Sequence, residues 1–572
     1  MATAVAILPI VVAFIGAAAR GWIPLGDNGL LVLRTEDVLT EHHPLLGTWT
    51  SASVGAGRQI NNPGPLWFDL LAPFVRIGGP AVGLALGVAV FNAACIALAA
   101  WAARRIGGYR ALLLVTALSA GIAWSMGSEL LFDPWQPHAM ILPFWSFLIV
   151  TWALATGDLL MAPFALGLAS LIIQTHLSFV YTIVLVGVAG AGLGVWSFRR
   201  APAPRPQWRR PLLASVVVLV LAWIQPIIDQ VAGEGNLMAL LETRGSDRSA
   251  TYPLGFSLRV VASVVAIPPW WGRPGFSTAD ALAGPSAAVA VVGLAIVVAL
   301  LGVVVAVGWR RRSPAIATIG ALALVALGAA IISMKLSPVG AIGFSLHQLR
   351  WLWPVSAFVF AAVLFALATW GRARHVAKVV LAGATAVLAV LALPRHVTRD
   401  GPAELAVYQP VVVELIDQIE TYRPDQPVVF DTTTLRYNEP YSGPVIAALA
   451  RGGVDVVTSD EVMSRQIGTG RRADGTERRQ VFLREGNAAT STPDGARRVA
   501  YVPGLDGAED LERLQLRSIV IDAATAGGVR LNAAGLDAVA AGETTFSEVV
   551  LEPGSDAAGL ADEGWLAYLI NE

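Results

Sequence analysis

The stretch AAVAVVGLAIVVALLGVVVAVGWRRRSP, residues 287–314, decides the class of the fold. About 20 consecutive apolar residues are enough to cross the hydrocarbon core of a bilayer as a helix, and a cluster of arginines marks the cytoplasmic end of such a helix. Of the 572 residues in the whole chain, 55% are hydrophobic and only 14% are charged, with a mean hydropathy of +0.62. Soluble domains carry about 25% charged residues. The chain is therefore predicted to be a polytopic α-helical membrane protein, which excludes an ordinary soluble enzyme.

Eleven apolar runs, of about 17–25 residues each, are predicted to cross the membrane. They lie near residues 3–19, 80–103, 111–128, 139–156, 159–173, 177–196, 212–231, 286–308, 314–332, 351–370 and 376–394. The first lacks a basic leader and a cleavage site, so it is predicted to be a retained span. Four connectors, 104–110, 197–211, 309–314 and 371–378, carry 14 arginine and lysine residues. The positive-inside rule makes these connectors cytoplasmic. This predicts a multi-pass plasma membrane protein with a cytoplasmic N-terminus and an extracytoplasmic C-terminus.

Charge divides the chain into two parts. Residues 1–394 hold 24 Arg and Lys against 13 Asp and Glu, whereas residues 395–572 hold 16 against 28. The first part is predicted to be a transmembrane body with long outer loops at 20–79 and 232–285. The second is predicted to be a soluble extracytoplasmic α/β domain. The single cysteine, Cys95, excludes a disulfide framework and a CxxC metal site.

Within the tail, segments with helical spacing alternate with short apolar runs typical of buried strands. The helices are predicted at 408–422, 444–453 and 510–516, and the strands at 427–432, 454–459 and 518–524. Residues 468–480 are rich in glycine and arginine but follow no strand, so they are predicted to be a solvated loop rather than a phosphate-binding loop. The tail is predicted to shape an acceptor site or to bind a partner. In the body, residues 254–267 are too short to span and predict an interfacial or re-entrant helix.

Acids and histidines concentrate in GDNGLLVLRTEDVLTEHHPLLG, residues 26–47, directly after the first apolar run. Asp27 lies there in a turn between glycines. Thr35 is predicted to cap a short helix with the next two acids in its first turn, where the helix dipole favours them. Pro65 is placed to start another helix, with apolar residues that could lie in the membrane interface. Of the 13 acids in the body, only Asp158 falls in a predicted cytoplasmic connector. The chemistry of the body is therefore predicted to face outward.

Other outer loops carry polar residues that could meet this first loop. They are Asp133, His138, Gln174, His176, His347 and Arg350. Arg350 precedes a tryptophan belt, where a guanidinium could anchor the chain or bind a lipid phosphate through two hydrogen bonds. A divalent cation held by Asp27 with histidine or aspartate partners stays an alternative, although no metal-ligand spacing predicts it.

These features resemble the GT-C superfamily of polyprenyl-phosphate-dependent glycosyltransferases. The shared features are an acid just after the first span, a long first outer loop with interfacial helices, about eleven spans and an external C-terminal domain. The run GDNGL…HHPLLGTWTS…NNPGPLWFDLLAPF is also similar to a group of actinobacterial GT-C-type membrane proteins, in which a His-Pro-Gly-Pro motif is expected. Asn62 stands at the position of that histidine. The resemblance covers residues 1–394 and implies a GT-C-like fold and a role in cell wall biogenesis.

The resemblance implies inverting transfer of a sugar from a polyprenyl-phosphate donor to a cell-envelope glycan or lipid acceptor on the outer face of the plasma membrane. An acceptor hydroxyl needs a carboxylate to take its proton, for which Asp27 is predicted and Asp37 is the second choice. A cation must stabilise the departing phosphate, which is assigned to Arg350 and His347. The predicted sugar or acceptor pocket comprises Glu36, His42, His43, Asn62, Asp133, His138, Gln174 and His176. The other predicted partners are the bilayer and an envelope protein bound to the acidic tail, with no nucleic acid.

Two other classes of function stay open. A transporter or flippase of lipid-linked glycans would need ionisable groups at mid-membrane depth, whereas the charges here cluster at the ends of the spans. A non-catalytic scaffold of an envelope complex would use only the acidic tail. Replacing Asp27 by asparagine separates these classes, because only a transferase would lose sugar transfer.

Overall fold

The computed structural model describes residues 1–53, 57–200, 207–244, 251–266, 286–337, 346–369, 373–397, 401–435, 439–485, 488–489 and 492–503. Over these residues the chain is mostly helical. The helix and strand predicted at 510–516 and 518–524 lie outside the described residues.

The elements are named in chain order. The α-helices are α1 (Ala2–Ala19), α2 (Asp27–Glu36), α3 (Leu66–Gly78), α4 (Leu84–Leu130), α5 (Gln136–Ala139), α6 (Ile141–Ala155), α7 (Ala162–Thr175), α8 (Val180–Arg200), α9 (Arg209–Ala232), α10 (Asn236–Arg244), α11 (Leu254–Val265), α12 (Ala287–Arg310), α13 (Pro314–Leu336), α14 (Leu352–Ala368), α15 (Ala373–Leu391), α16 (Gln409–Ile419), α17 (Ser442–Arg451) and α18 (Glu461–Ile467). The strands are β1 (Val428–Asp431), β2 (Val456–Val457) and β3 (Arg479–Phe482).

Seven helical segments in the described part of the chain are long and apolar enough to cross a membrane. They are Ala2–Ala19, Leu66–Leu130, Gln136–Ala155, Leu177–Arg200, Arg209–Ala232, Ala287–Arg310 and Pro314–Leu336. The shorter apolar helices are Leu159–Thr175, Leu254–Val265, Leu352–Ala368 and Val376–Leu391. These helices fit a polytopic helical membrane protein, while the number of crossings stays a prediction.

Helix α4 contains two of the predicted runs, 80–103 and 111–128, on either side of a sharp bend. The backbone leaves helical dihedral angles at Gly107 and Gly108, and Gly108 has a φ of +64°, which glycine adopts without the steric penalty of a side chain. A Cβ at Gly107 would lie 2.8 Å from the ring of Phe365. The bend therefore reverses the chain between two apolar helices where a side chain would not fit.

Contacts between connectors bring basic residues together at one end of the helix bundle. Arg105 pairs with Asp158 at 2.5 Å, which joins the connector after the first half of α4 to the one after α6. The rings of Trp196 and Trp309 stack with centroids 6.1 Å apart, which brings the ends of α8 and α12 together. The clustering agrees with the predicted common side of the basic connectors.

The short helix α11 covers most of the 254–267 stretch. It is 12 residues long, and its side chains from Val260 to Val265 are buried against α12, α13 and α14. A helix of this length is too short to cross the hydrocarbon core at 1.5 Å per residue. It is therefore a short buried helix, which favours the re-entrant prediction over the interfacial one.

The tail forms a parallel sheet of three short strands among the described residues. The strand order is β2-β1-β3, and Val428 of β1 pairs with Val456 on one side and Arg479 on the other. Val428 and Phe430 are buried, as expected for the central strand of a parallel sheet. The helical and extended patterns read from 408–422 and 427–432 correspond to α16 and β1.

The first loop and the tail pack directly on each other through α2 and α17. The amide of Gly26 donates to the carbonyl of Pro440 at 3.0 Å. Glu36 at the other end of α2 pairs with Arg451 at 3.0 Å. A Cβ at Gly29 would lie 2.5 Å from the backbone carbon of Gly443, so both helices carry glycine where they cross. The candidate site is built around this contact.

Candidate functional site

Helix α2 begins at Asp27, nine residues earlier than the sequence predicted. Gly26 precedes it with a φ of +53°, and Asp27 lies in the first turn, where the helix dipole favours a carboxylate. Thr35 lies near the end of the helix, and its hydroxyl donates to the carbonyl of Leu31 at 2.6 Å. The prediction that Thr35 starts a helix is therefore wrong. Pro65 does precede a helix, α3, as predicted.

A cavity of about 240 Å³ lies between the first loop and the tail, and we call it the acidic cavity. Its wall consists of Gly26, Asp27, Leu30, Arg34, Thr48, Trp49, Gln136, Thr432, Leu435, Glu439, Ser442, Asp460, Val462, Met463 and Gln466. Three carboxylates face one guanidinium in this wall, together with amide, hydroxyl and indole groups. The lining therefore offers both hydrogen-bond donors and hydrogen-bond acceptors to a small ligand.

Asp27 is the carboxylate that α2 presents to the acidic cavity. Its side chain keeps accessible surface on the cavity, and its Oδ2 accepts a hydrogen bond from the Trp135 indole at 3.1 Å. Burial by the surrounding protein raises the pKa of Asp27. The Trp135 hydrogen bond opposes this shift, and the nearby Asp133 adds to it. The result is a carboxylate that binds a proton more readily than an exposed aspartate does.

A chain of buried polar side chains supports Trp135 from behind. Asn28 donates to Asp133 at 2.8 Å, and Asp133 contacts Nδ1 of His138 at 2.5 Å. The guanidinium of Arg350 contacts Nε2 of His138. A guanidinium can only donate, so Nε2 accepts and the imidazole proton lies on Nδ1, where it donates to Asp133. The ring of His138 packs edge-on against Trp135 at 4.9 Å, which fixes the indole that reaches Asp27.

This burial corrects several predicted roles. Asp133 and His138 are 1% exposed and Arg350 is 0% exposed, so they lie behind the cavity wall rather than in it. Arg350 therefore does not reach a lipid phosphate at headgroup depth. Burial, with smaller effects of nearby basic groups, lowers the pKa of His347 to about 3. His347 is therefore neutral at neutral pH and cannot supply the predicted positive charge at the phosphate.

Asp37 is held by two arginines. Arg34 donates to one of its oxygens at 2.6 Å, and Arg471 binds both oxygens at 2.6 Å in a bidentate pair. Both of its oxygens are therefore occupied by guanidinium donors and are not free to bind an acceptor hydroxyl. The geometry therefore argues against Asp37 as the base. Arg471 is only 4% exposed, so the prediction of a fully solvated 468–480 loop is wrong at this residue.

Four further candidates have structural contacts. Glu36 pairs with Arg451. Asn62 donates to the hydroxyl of Thr48 at 3.0 Å and accepts from the amide of Leu177 at 3.2 Å, which joins two loops. Neither side chain lines either of the two cavities described here, so their predicted role in a sugar or acceptor pocket stays a prediction.

Two residues at the C-terminal end of α7 are also structural. Gln174 is 0% exposed and donates to the carbonyl of Ala222 at 2.6 Å. Nδ1 of His176 accepts from the amide of Ser178 at 3.3 Å. Burial, with a smaller effect of His138, lowers the pKa of His176 to about 4. Gln174 therefore joins two helices, and His176 is a neutral capping residue.

A second cavity, of about 180 Å³, contains the remaining two candidates, and we call it the arginine cavity. Its wall consists of Arg34, Glu41, His42, His43, Leu45, Leu46, Gly47, Asn61, Asp229, Gly233, Glu234, Arg465, Gly468, Thr469, Gly470 and Arg471. His42 and His43 therefore line a cavity, as predicted, but a different one from that of Asp27. Arg34 belongs to both walls.

Sequence reasoning missed several residues of the acidic cavity, among them Arg34, Glu439 and Asp460. Asp27, Leu30 and Arg34 are spaced by three and four residues, which is the repeat of one helix face. If a helix had been predicted directly after Gly26, Arg34 would have been included among the predicted site residues. Glu439 and Asp460 gave no such signal, because each accepts backbone hydrogen bonds at the start of a tail helix far along the chain.

Across the described residues no group of three or more histidine, cysteine, aspartate or glutamate side chains could hold a metal ion. The three acids of the acidic cavity are therefore too far apart to form such a cluster. No family model, curated protein or solved structure matches this chain. The function is consequently argued from the geometry of the two cavities.

Proposed function

We propose that this protein transfers a sugar from a polyprenyl-phosphate donor to a cell-envelope glycan or lipid acceptor at the outer face of the plasma membrane. The observation that carries the proposal is the Asp27 carboxylate, which is accessible from a cavity open to solvent and has a raised pKa. A nucleotide sugar is not supplied outside the cell, so a sugar there has to arrive on a lipid carrier. The helical body provides the bilayer contact that such a carrier needs.

In the proposed reaction Asp27 acts as the general base. It accepts the proton of the acceptor hydroxyl while the hydroxyl oxygen forms a bond to the anomeric carbon. The bond from that carbon to the donor phosphate oxygen breaks, and the lipid phosphate leaves with the electron pair. A single displacement of this kind inverts the configuration. The raised pKa of Asp27 improves proton transfer, because the efficiency of a base rises as its pKa approaches the working pH.

Arg34 is the cation that we assign to the leaving phosphate, in place of Arg350. It lies one helix turn beyond Leu30 on the face that starts with Asp27, and it lines the same cavity. Burial, the largest influence, lowers the pKa of Arg34 to about 10, so the guanidinium remains charged at neutral pH. Arg34 and Arg471 share one carboxylate, Asp37, so the cluster keeps a net charge of +1. A fixed positive charge stabilises the negative charge that develops on the departing phosphate.

The other walls of the acidic cavity suit recognition of the transferred sugar. Trp49 supplies an aromatic surface, and its indole is fixed by a hydrogen bond of 2.8 Å to Gln59. Gln136 from the helical body and Gln466 from the tail supply amide groups on two further walls. A few placed polar groups beside an aromatic side chain are typical of small-molecule sites. The tail therefore completes the site and limits the access of water.

Glycan analysis of cells that carry Asp27→Asn tests the proposal. We expect product glycan to fall by about 10²–10⁴-fold, the usual contribution of a general base, and the lipid-linked donor to accumulate. Asp425→Asn is the matched control, because Asp425 is a tail carboxylate that is 75% exposed and pairs with Arg479 on the surface. An unchanged product profile in Asp27→Asn cells, with normal protein levels, would overturn the proposal and favour a flippase or a scaffold.

A further inference from the structure

The arginine cavity contains a buried cation with unused hydrogen-bond donors. The side chain of Arg465 is 9% exposed, and its Nη2 donates to Glu234 at 2.9 Å. Its Nε and Nη1 atoms are buried and have no hydrogen-bond partner within the described parts of the chain. Buried polar groups without partners are rare in native proteins, and a bound water or ion is one reason for them. The donors of Arg465 therefore point to a missing acceptor.

The acids of this cavity are already used by other contacts. The two oxygens of Asp229 accept the amides of Glu234 and Asn236 at 3.1 and 3.0 Å. Glu234 is paired with Arg465, and the side chain of Glu41 is 87% exposed. These carboxylates cap a turn, neutralise one guanidinium or point to solvent. None of these carboxylates binds Nε or Nη1 of Arg465.

The opposite wall adds positive charge. Arg34 and Arg471 both line this cavity while sharing the single carboxylate of Asp37 behind it. Gly468, between Arg465 and Arg471 in sequence, has a φ of +105°. A Cβ at Gly468 would lie 2.8 Å from the central guanidinium carbon of Arg34. The glycine therefore lets Arg34 approach the turn at the end of α18, between Arg465 and Arg471.

The position of the cavity indicates where an anion would come from. Asp229 and Gly233 belong to the end of α9, which is a candidate span with mostly exposed side chains. Leu45 and Leu46 provide an apolar part of the lining. If α9 crosses the bilayer, as its length and composition allow, a cavity at its end lies near the depth of lipid phosphates.

We propose that the arginine cavity is a phosphate-binding site, bound through Nε and Nη1 of Arg465 with Arg34 and Arg471 supplying further charge. Guanidinium groups bind phosphate through paired hydrogen bonds. The phosphate could belong to a lipid headgroup or be free in solution. This inference stands on the geometry of Arg465 and does not require that the protein be a transferase. If it is one, Arg34 lies between this phosphate and the cavity of Asp27.

Binding measurements on the full-length protein in nanodiscs test the site. The probes are farnesyl phosphate, phosphatidylglycerol and inorganic phosphate, each read by native mass spectrometry. We expect wild type to retain a phosphate probe and Arg465→Gln to lose at least about tenfold in affinity. Retention of either lipid with no competition from inorganic phosphate identifies a headgroup site, whereas competition by inorganic phosphate identifies a site for the free anion.

Matched variants make the result interpretable. Arg479→Gln removes an arginine that is 47% exposed and paired with Asp425 on the tail surface, and it should bind like wild type. If Arg465→Gln does not fold, the double variant Arg465→Gln, Glu234→Gln removes the charge pair without leaving Glu234 unpaired. Asp27→Asn should keep phosphate binding even if it loses sugar transfer, so the two proposals fail separately. Wild type that binds none of the probes, or a folded Arg465 variant that binds as tightly as wild type, would refute the site.

Discussion

One indole nitrogen sets the protonation of the residue on which the proposed reaction depends. The Trp135 indole donates to the Asp27 carboxylate, and this hydrogen bond favours the ionised form against the effect of burial. Trp135 is in turn fixed by the buried chain through Asp133 and His138. Asp27 therefore combines a raised pKa with an ordered orientation, which a loop aspartate in water would lack.

We expect the loss of that nitrogen to shift the pH dependence of sugar transfer. In Trp135→Phe the ring contacts are kept, but the ionised form of Asp27 loses its donor, so the pKa rises further. Transfer requires ionised Asp27, so activity is lost as the pH falls through this pKa. We expect the acid limb of the pH–rate profile to move up by about one unit, because hydrogen bonds to charged groups contribute about 1.5–3 kcal/mol.

Trp49→Phe is the control for this experiment. It removes an indole N–H from the same cavity wall, but that N–H is bound to Gln59 rather than to Asp27. It should leave the acid limb where wild type has it, even if substrate binding weakens. Equal pH profiles for Trp135→Phe and wild type would show that Asp27 does not control the reaction.

At the scale of elements, hydropathy patterns predicted which segments form helices and strands. They could not predict which distant residues pair with each other. Apolar runs of membrane length became helices because every backbone group in a bilayer has to be bonded within the segment. Residues 408–422 and 427–432 likewise form a helix and a strand in the tail. A repeat of 3.6 residues indicates a helix and a repeat of two indicates a strand. Both can be predicted locally, because each repeat is visible in consecutive side chains.

The candidate site was harder to predict because its contacts join distant parts of the chain. Asp37 and Arg471 are separated by 434 positions, and no local pattern indicates that they pair. The sequence indicated an interfacial anchor at Arg350, beside tryptophans. In the structure its buried guanidinium donates a hydrogen bond to His138, 212 positions away. Asp27 could be proposed from the sequence because its signal is local, a lone acid between glycines after an apolar run.

The crossing of α2 and α17 predicts a sensitive position at an uncharged residue, beside the turn that carries Asp27. A Cβ at Gly443 would meet the carbonyl oxygen of Gly26 and lie 3.0 Å from the amide of Leu30. We expect Gly443→Ala to destabilise the fold by about 1–3 kcal/mol through overpacking. It should also reduce transfer by up to about a hundredfold, since it displaces the turn that carries Asp27.

Thermal unfolding in detergent, with transfer assayed in parallel, measures both effects. Gly328→Ala is the matched control, because it lies in α13 and a Cβ there would meet nothing within 4 Å. That variant should be neutral or slightly stabilised, by up to about 1 kcal/mol. Identical melting temperatures for the two variants would show that the α2–α17 contact is not close.

At the scale of the whole molecule, the proposed function depends on which side of the membrane each end of the helix bundle faces. The basic connectors meet at one end through contacts such as Arg105 with Asp158. The first loop and the tail meet each other through contacts such as Asp37 with Arg471. The proposed reaction needs the second group outside, next to a lipid-linked donor and away from nucleotide sugars.

Cysteine labelling of intact cells tests this orientation. The experiment uses a Cys95→Ala background, which removes the native thiol. Cys95 is buried, with 3% exposure, so this change does not alter the protein surface. Single cysteines are then introduced by Glu41→Cys, at a side chain that is 87% exposed, and Asp425→Cys, at one that is 75% exposed. Arg310→Cys at the end of α12 reports the basic connectors, where the side chain is also exposed. A membrane-impermeant maleimide should label positions 41 and 425 in intact cells and position 310 only after permeabilisation. The reverse pattern would place Asp27 beside the cytoplasm, where nucleotide sugars are available, and would remove the reason for a lipid-linked donor.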